Sequence, residues 1–371
     1  MCIRDRAFTG NVPVAAGLSS SSSIVVATAE AFLALNNIDL SPQKFVDLCG
    51  EGEWYVGSRG GAADHAAMKF GEKGYIVRLS FLPFQFESMY KFPEGYKLII
   101  ANSHIKANKT TNSKDDYNSR IAAYEFGLMM LKDKYPNYIE TIQHLRDINS
   151  EKLKLPPSKI YQMLLELPEK ITAGEVYELI SSGYHKNIKR ILSSHNSPQY
   201  YHIRPIVLYG IAECYRARLC KEYLEKGRIE EFGVLMNVSH DGDRIVYYND
   251  EGNMTKFDWS LPDIKLEKLI DDLKSESPER VMRAQIEMQS GGYACSTPEI
   301  DYMVHLAKKV PGVIGAQLSG AGLGGCIMVL VREESIDSLI SILQKDYYEP
   351  RGLNPDTLVC APVKGSLVLE C

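Results

Sequence analysis

Pro13-Val14-Ala15-Ala16-Gly17-Leu18-Ser19-Ser20-Ser21-Ser22-Ser23 runs directly into Ile24 to Asn36, a segment rich in Ala, Val and Leu that reads as a helix closed by Asn36-Asn37. A glycine lets the backbone approach a ligand closely, N–H groups at a helix N-terminus point one way, and hydroxyls are available to phosphate oxygens or a metal. These are the parts of an anion cradle. A flexible Gly/Ser linker or a plain serine N-cap could use the same letters. A linker would not sit between an apolar strand-like segment and a strongly apolar helix, which favours the cradle.

Outward from this stretch, a second helix is expected from about Ser41 to Trp54, strands at Tyr75 to Phe81 and Lys97 to Asn102, and a helix from Asp115 to Lys134 on the spacing Ile121, Tyr124, Leu128, Leu131. Ile139 to Thr297 reads as mainly helical, punctuated by prolines, with a hairpin-like interruption near Asn249 to Asn253. The last third orders itself as helix (Pro298 to Val310), strand (Val313 to Leu318), glycine-rich turn, strand (Cys326 to Val331) and helix (Ser335 to Lys345), an α+β sandwich within an α/β chain.

With 371 residues, one undivided core is improbable, so two domains are expected. The formal net charge of −5 supplies no broad positive field, which argues against nucleic acid or an anionic membrane and for a small-molecule ligand. The most apolar run, Ile24 to Leu35, is too short to span a bilayer, and Gly10, Asn11 and Pro13 interrupt any apolar stretch behind Arg4 and Arg6, so neither a membrane segment nor a secretory signal is expected. Eight scattered cysteines without a CxxC pair fit a reducing, cytoplasmic setting without a disulfide framework or zinc site.

Two further segments could carry chemistry. Leu318-Ser319-Gly320-Ala321-Gly322-Leu323-Gly324-Gly325-Cys326 places four glycines in six positions, costly in backbone entropy unless something approaches the main chain, although a hairpin turn explains it equally well. Glu53 and Asp64 flank the turn Gly60-Gly61, which could set one carboxylate on a metal and the other beside a hydroxyl as general base. Taken alone, they read as solvated loop acids. His65, His104 and His240 read as surface or capping residues rather than ligands. No Walker A sequence occurs, and no GxGxxG runs from a strand into a helix.

The order of these segments, PxxxGLSSS before a helix, then Glu53 and Asp64 across Gly-Gly, then a late SGxGxGGC turn, resembles the GHMP kinase superfamily and, within it, the galactokinase family. Asn102-Ser103, Asn108-Lys109, Tyr117-Asn118-x-Arg120, Leu235-Met236-Asn237-x-Ser239-His240 and Cys295-Ser296-Thr297-Pro298-Glu299-Ile300-Asp301 support the match. Gly57-Ser58-x-Gly60-Gly61 leans toward the N-acetylgalactosamine kinase-like branch. Ser23, Ala63 and His65 depart from the family's Ala, Met and Gln.

The resemblance implies a two-domain GHMP architecture: a ribosomal-protein-S5-like N-terminal domain (1–110) and a ferredoxin-like C-terminal domain (111–371) with a helical insertion at about 244–290. It implies a sugar-1-kinase using ATP and Mg²⁺, acting on galactose, N-acetylgalactosamine or L-arabinose, as a cytoplasmic monomer with no nucleic-acid or membrane partner. Gly17, Leu18, Ser19, Ser20 and Ser21 would wrap the phosphates, with Ser319, Gly320, Gly322 and Gly324 facing them. Ser21 and Glu53 would hold Mg²⁺, Asp64 would act on the anomeric hydroxyl, and Gly61 and Tyr117 would contact the sugar. A non-catalytic sensor on the same fold is the alternative; such sensors lose residues from the serine loop, which is complete here. The family's arginine-bearing opening segment does not occur in this sequence, so the chain by itself is expected to be a weak catalyst.

Overall fold

The computed structural model describes residues 7–14, 16–55, 61–81, 84–106 and 111–369. Helix α1 (Ser20–Leu35) follows the serine run, and α2 (Pro42–Trp54) starts on Ser41, whose hydroxyl accepts from Lys44 N at 3.4 Å, with Pro42 preset at the first turn. α3 (Ala63–Phe70), β1 (Tyr75–Ser80), β2 (Gln85–Lys91) and β3 (Tyr96–Asn102) come next, then the long α4 (Thr111–Lys134). The expected strand-like segment ahead of the serine loop is irregular over 7–14; with Gly10, Asn11 and Pro13 it has few residues suited to a ladder.

A helical body follows: α5 (Ser150–Leu153), α6 (Pro157–Leu165), β4 (Lys170–Ile171), α7 (Ala173–Leu179), α8 (His185–Leu192), β5 (Tyr201–His202), α9 (Ile203–Glu225) and α10 (Ile229–Asp243). The hairpin β6 (Val246–Tyr248) and β7 (Met254–Lys256) stands where the sequence suggested it, before α11 (Asp263–Asp272) and α12 (Pro278–Arg283). The chain closes with α13 (Pro298–Lys308), β8 (Val313–Leu318), β9 (Cys326–Arg332), α14 (Ile336–Leu343) and β10 (Thr357–Cys360).

The main sheet has the order β10-β3-β9-β8, antiparallel throughout. Side chains on a strand alternate between faces, and here the alternation separates two jobs. Ile99, Ala101, Val329 and Val331 pack with α13 and α14 in one core, whereas Leu98, Ile100, Cys326 and Met328 pack with Ala16 and Leu18 on the other face. The serine loop therefore lies on the sheet. The expected boundary at residue 110 falls after β3, whose two neighbours β9 and β10 come from the far end of the chain.

The helical body has its own core, with Phe126, Leu131, Ile160, Tyr161, Leu164, Tyr201 and Ile211 fully buried. α1 to α3 enclose a smaller one around Val26, Phe45, Val46, Cys49 and Ala66, and the outer side of α1 exposes Ile24, Phe32 and Leu35. Among the described residues no helix is long and apolar enough to cross a membrane, and the six described cysteines are free thiols.

Candidate functional site

The loop before α1 is built from backbone. Gly17 has φ +71°, and Ser19, the N-cap of α1, has φ 56° with no side-chain cap, so the N–H groups of the first turn are not spent on a capping hydroxyl. A Cβ on Gly17 would lie 3.1 Å from Ser319 O, one on Gly320 2.9 Å from Gly17 O, and one on Gly325 2.7 Å from Ala16 O. All three glycines also have positive φ. The two glycine-rich segments thus interlock main chain to main chain, which explains glycines that a hairpin turn alone would not need.

Two more segments fasten this seam. Ser103 donates to Gly325 O through both N (2.9 Å) and Oγ (2.6 Å), and Gly325 N donates to Ile105 O (2.8 Å). Leu323 N donates to Cys295 O at 2.7 Å, and a Cβ on Gly322 would collide with that same carbonyl. Arg120 in turn clamps the residues before Cys295, donating to Tyr293 O (2.5 Å) and Ala294 O (2.7 Å). Beneath them Tyr209 stacks on Tyr293 at 4.9 Å and donates its hydroxyl to Asp243 at 3.2 Å. Burial, then the nearby Glu213 carboxylate, push the Asp243 carboxyl up to about 7.

The two acidic residues sit on the helices that pack against α1, Glu53 on α2 and Asp64 on α3. Glu53 Oε1 accepts from Ser22 Oγ at 3.0 Å, and His65 Nε2 lies 3.8 Å from the same oxygen. Asp64 is exposed in the first turn of α3. Helices α2 and α3 come close because Gly50 faces Ala62, where a Cβ would lie 2.9 Å from the alanine's own. Gly61 is exposed, with nothing within 4 Å of a Cβ position. Tyr117 is half-buried on α4, and burial raises its phenol pKa, with the Cys295 thiol as a smaller cause.

Several expectations change. Ser22 Oγ is the serine hydroxyl that meets Glu53: Ser22 and Val26 are the buried positions of α1, one helical turn apart, while Ser21, the serine expected at the ion, is exposed. His65 and His240 are core residues rather than surface ones; only His104 is exposed. His240 Nδ1 accepts from Leu318 N at 3.2 Å, which leaves its proton on Nε2, 3.3 Å from the buried Asp301. This pair anchors the strand end that leads into Ser319. Asp243 and His65 gave no sequence signal beyond their identity. Gly57, Ser58 and Gly60, and Asn108-Lys109, lie outside the described residues.

As donors for Mg²⁺, a carboxylate with one oxygen already fixed and a serine hydroxyl at a helix start are hard oxygen ligands of the kind the ion takes alongside phosphates and water. Among the described residues no three His, Cys, Asp or Glu side chains cluster as a metal cage. The fit is to an ion held jointly with a ligand.

The N-terminal domain model of the GHMP kinases matches residues 5–72 and the C-terminal one residues 269–349. The chain is 25% identical over 353 residues to a galactokinase of Dictyostelium discoideum and 26% identical over 349 residues to one of Halalkalibacterium halodurans, covering 95% and 94% of itself. It spans 65% of the length of each of these relatives. Lactococcus lactis galactokinase, solved with galactose, superposes with a TM-score of 0.61 at 22% identity over 97% of this chain and 69% of that one. The chain has the two-domain GHMP kinase fold.

Proposed function

From a chain that carries the N- and C-terminal GHMP kinase domains, we propose a galactokinase-like sugar-1-kinase. It moves the γ-phosphoryl group of ATP onto the anomeric hydroxyl of galactose or a related sugar, as a cytoplasmic monomer. The observation that carries this reading is the seam in which residues 16–19, the turn 319–326 and Cys295 close on one another at the N-terminus of α1. Phosphoryl transfer requires positioning and charge neutralisation more than covalent chemistry.

The N–H groups from Gly17 to Ser21 wrap the phosphates at the positive end of α1. Ser319, Gly320, Gly322 and Gly324 form the facing wall, held at close range by the contacts of Gly17 with Ser319 and Gly320. The Ser21 hydroxyl and Glu53 carboxylate would hold Mg²⁺, with Ser22 fixing the other oxygen of that carboxylate. When bound, the ion would supply neutralisation of phosphate charge. Asp64 takes or orients the proton of the sugar's 1-hydroxyl, free of any side-chain partner among the described residues. Gly61 leaves room for the sugar, and the Tyr117 phenol contacts it.

ADP release measured with galactose, N-acetylgalactosamine and L-arabinose tests the reading. A sugar-dependent rate above the sugar-free one is expected, and Asp64→Asn is expected to lower kcat by at least about tenfold while ATP affinity stays within about twofold. ATP binding without sugar-dependent release from any of the three would replace the kinase by a binding protein on the same fold.

A further inference from the structure

His65 follows Asp64 in the first turn of α3, is 0% exposed, and has no hydrogen-bond partner on either ring nitrogen. An imidazole carries at least one N–H in every protonation state, and a buried donor left unpaired bears the full penalty of its lost hydration. The only carboxylate within 4 Å of it among the described residues belongs to Glu53, with Nε2 3.8 Å from Oε1. That is too long for a hydrogen bond and short enough for a small side-chain rotation to close. Ser22 Oγ already donates to the same Oε1 at 3.0 Å, and Oε2 accepts from no described residue. Both protein neighbours therefore approach one oxygen and leave the other.

We propose that His65 is a positioning residue for Glu53: its Nε2–H joins Ser22 on Oε1 and turns the carboxylate so that Oε2 alone faces the cation arriving with the nucleotide. The inference rests on the kinase reading, which supplies that cation. A carboxylate seated by Ser22 alone can pivot about a single bond. A second donor on the same oxygen, coming from a different helix, removes the pivot and suits an ion that demands near-ideal octahedral ligand placement. Donors that orient a metal ligand in this way are typically worth about 10- to 100-fold in metal affinity.

The test is calorimetry of ATP binding to the 371-residue chain with and without MgCl₂, for wild type, His65→Leu and His65→Gln. ATP affinity without Mg²⁺ is expected to stay within about twofold in both variants, because no phosphate contact is altered. The Mg²⁺ concentration giving half of the affinity gain is expected to rise about tenfold or more in His65→Leu, with His65→Gln, which restores an N–H, recovering most of it. An unchanged Mg²⁺ requirement in His65→Leu overturns the proposal, as does equal weakening with and without Mg²⁺, the mark of a packing role alone. Should His65→Leu fail to fold, the wild type decides: the His65 imidazole ¹⁵N signal, identified by its loss in His65→Gln, must move when MgCl₂ is added to the ATP complex, and a stationary signal overturns the proposal. A wild type whose ATP affinity ignores Mg²⁺ sinks the kinase reading together with this inference. Mg²⁺ dependence in wild type with an unaffected His65→Leu sinks only the inference.

Discussion

The helical body between α4 and α12 and the trio α1 to α3 are both helical and are stabilised differently. The body closes around thirty buried apolar residues among those described, the trio around five, with apolar side chains of α1 left in solvent. The trio bears the serine loop, Glu53 and Asp64; besides the packing of Ala16 and Leu18 on the sheet, it is tied to the rest of the molecule by the backbone seam at Gly17, Gly320 and Gly325 and by the C-terminal tail, where Gly365 N donates to Gly71 O at 2.8 Å and Ser366 Oγ to Glu30 at 2.7 Å. Bulk stability and candidate chemistry are thus assigned to different parts of the chain. A perturbation should reveal which part it strikes.

The sharpest contrast should come from core truncation. Phe126 is fully buried in the body, edge-on to Tyr201 at 5.2 Å, and Phe126→Ala is expected to cost about 3 to 5 kcal/mol in urea unfolding with ATP affinity of the folded fraction unchanged. Phe45→Ala, in the trio's thin core with half-buried neighbours that can relax, should cost clearly less. Equal losses would erase the difference between the two regions.

Asp243 sharpens the comparison at the inner border of the body. Its carboxyl is held near 7 in the folded protein against 3.8 as the ordinary value, so the native state binds the extra proton, and stability falls as pH rises from about 4 to 7 and is level above that. Between pH 5 and 8 the loss is about 2 to 3 kcal/mol, and Asp243→Asn should abolish that slope while retaining an acceptor for Tyr209. Parallel pH–stability curves for the two proteins would show that Asp243 is not where the proton binds.

The seam responds in a different readout. Gly325→Ala forces a Cβ toward Ala16 O at a positive φ and is expected to weaken ATP binding by about 1 to 3 kcal/mol, with a smaller loss in unfolding stability than Phe126→Ala. Unaltered ATP affinity in a folded variant would detach the loop from the nucleotide. Smallest of all, Ser22→Ala removes one hydrogen bond to Glu53 and should cost about 0.5 to 1.5 kcal/mol of stability, measured by thermal unfolding. A loss above that range would make the trio depend on this polar contact more than on its apolar core.

What could be read from letters alone follows the same division. The helices of the body and strands β3, β8 and β9 were legible because long apolar periods announce them. β2 hid behind Glu87, Ser88 and Lys91, which dilute its β character, and β10 is a four-residue edge strand near the end of the chain. α3 was concealed because Asp64 and His65 beside Gly-Gly read as a loop. At the site, the motif residues Gly17, Ser103, Cys295 and Gly322 do converge. The choice of Ser22 over Ser21 was obscured by five identical letters whose phase only Val26 fixes, and the buried place of His65 is a tertiary fact that no local pattern encodes.

The interlock of Gly17 with residues 319–326 also bears on how the protein is made. The loop leaves the ribosome about 300 residues before its seat, which at roughly 5 to 20 residues per second is a wait of about 15 to 60 s. Through that interval β3 lacks both of its sheet neighbours and the face carrying Leu98 and Ile100 has no turn to close it, while the helical body, whose contacts are nearer in sequence, can already fold. A nascent chain in that state presents an unpaired strand and an open anion loop together, which is the surface on which a chaperone would act.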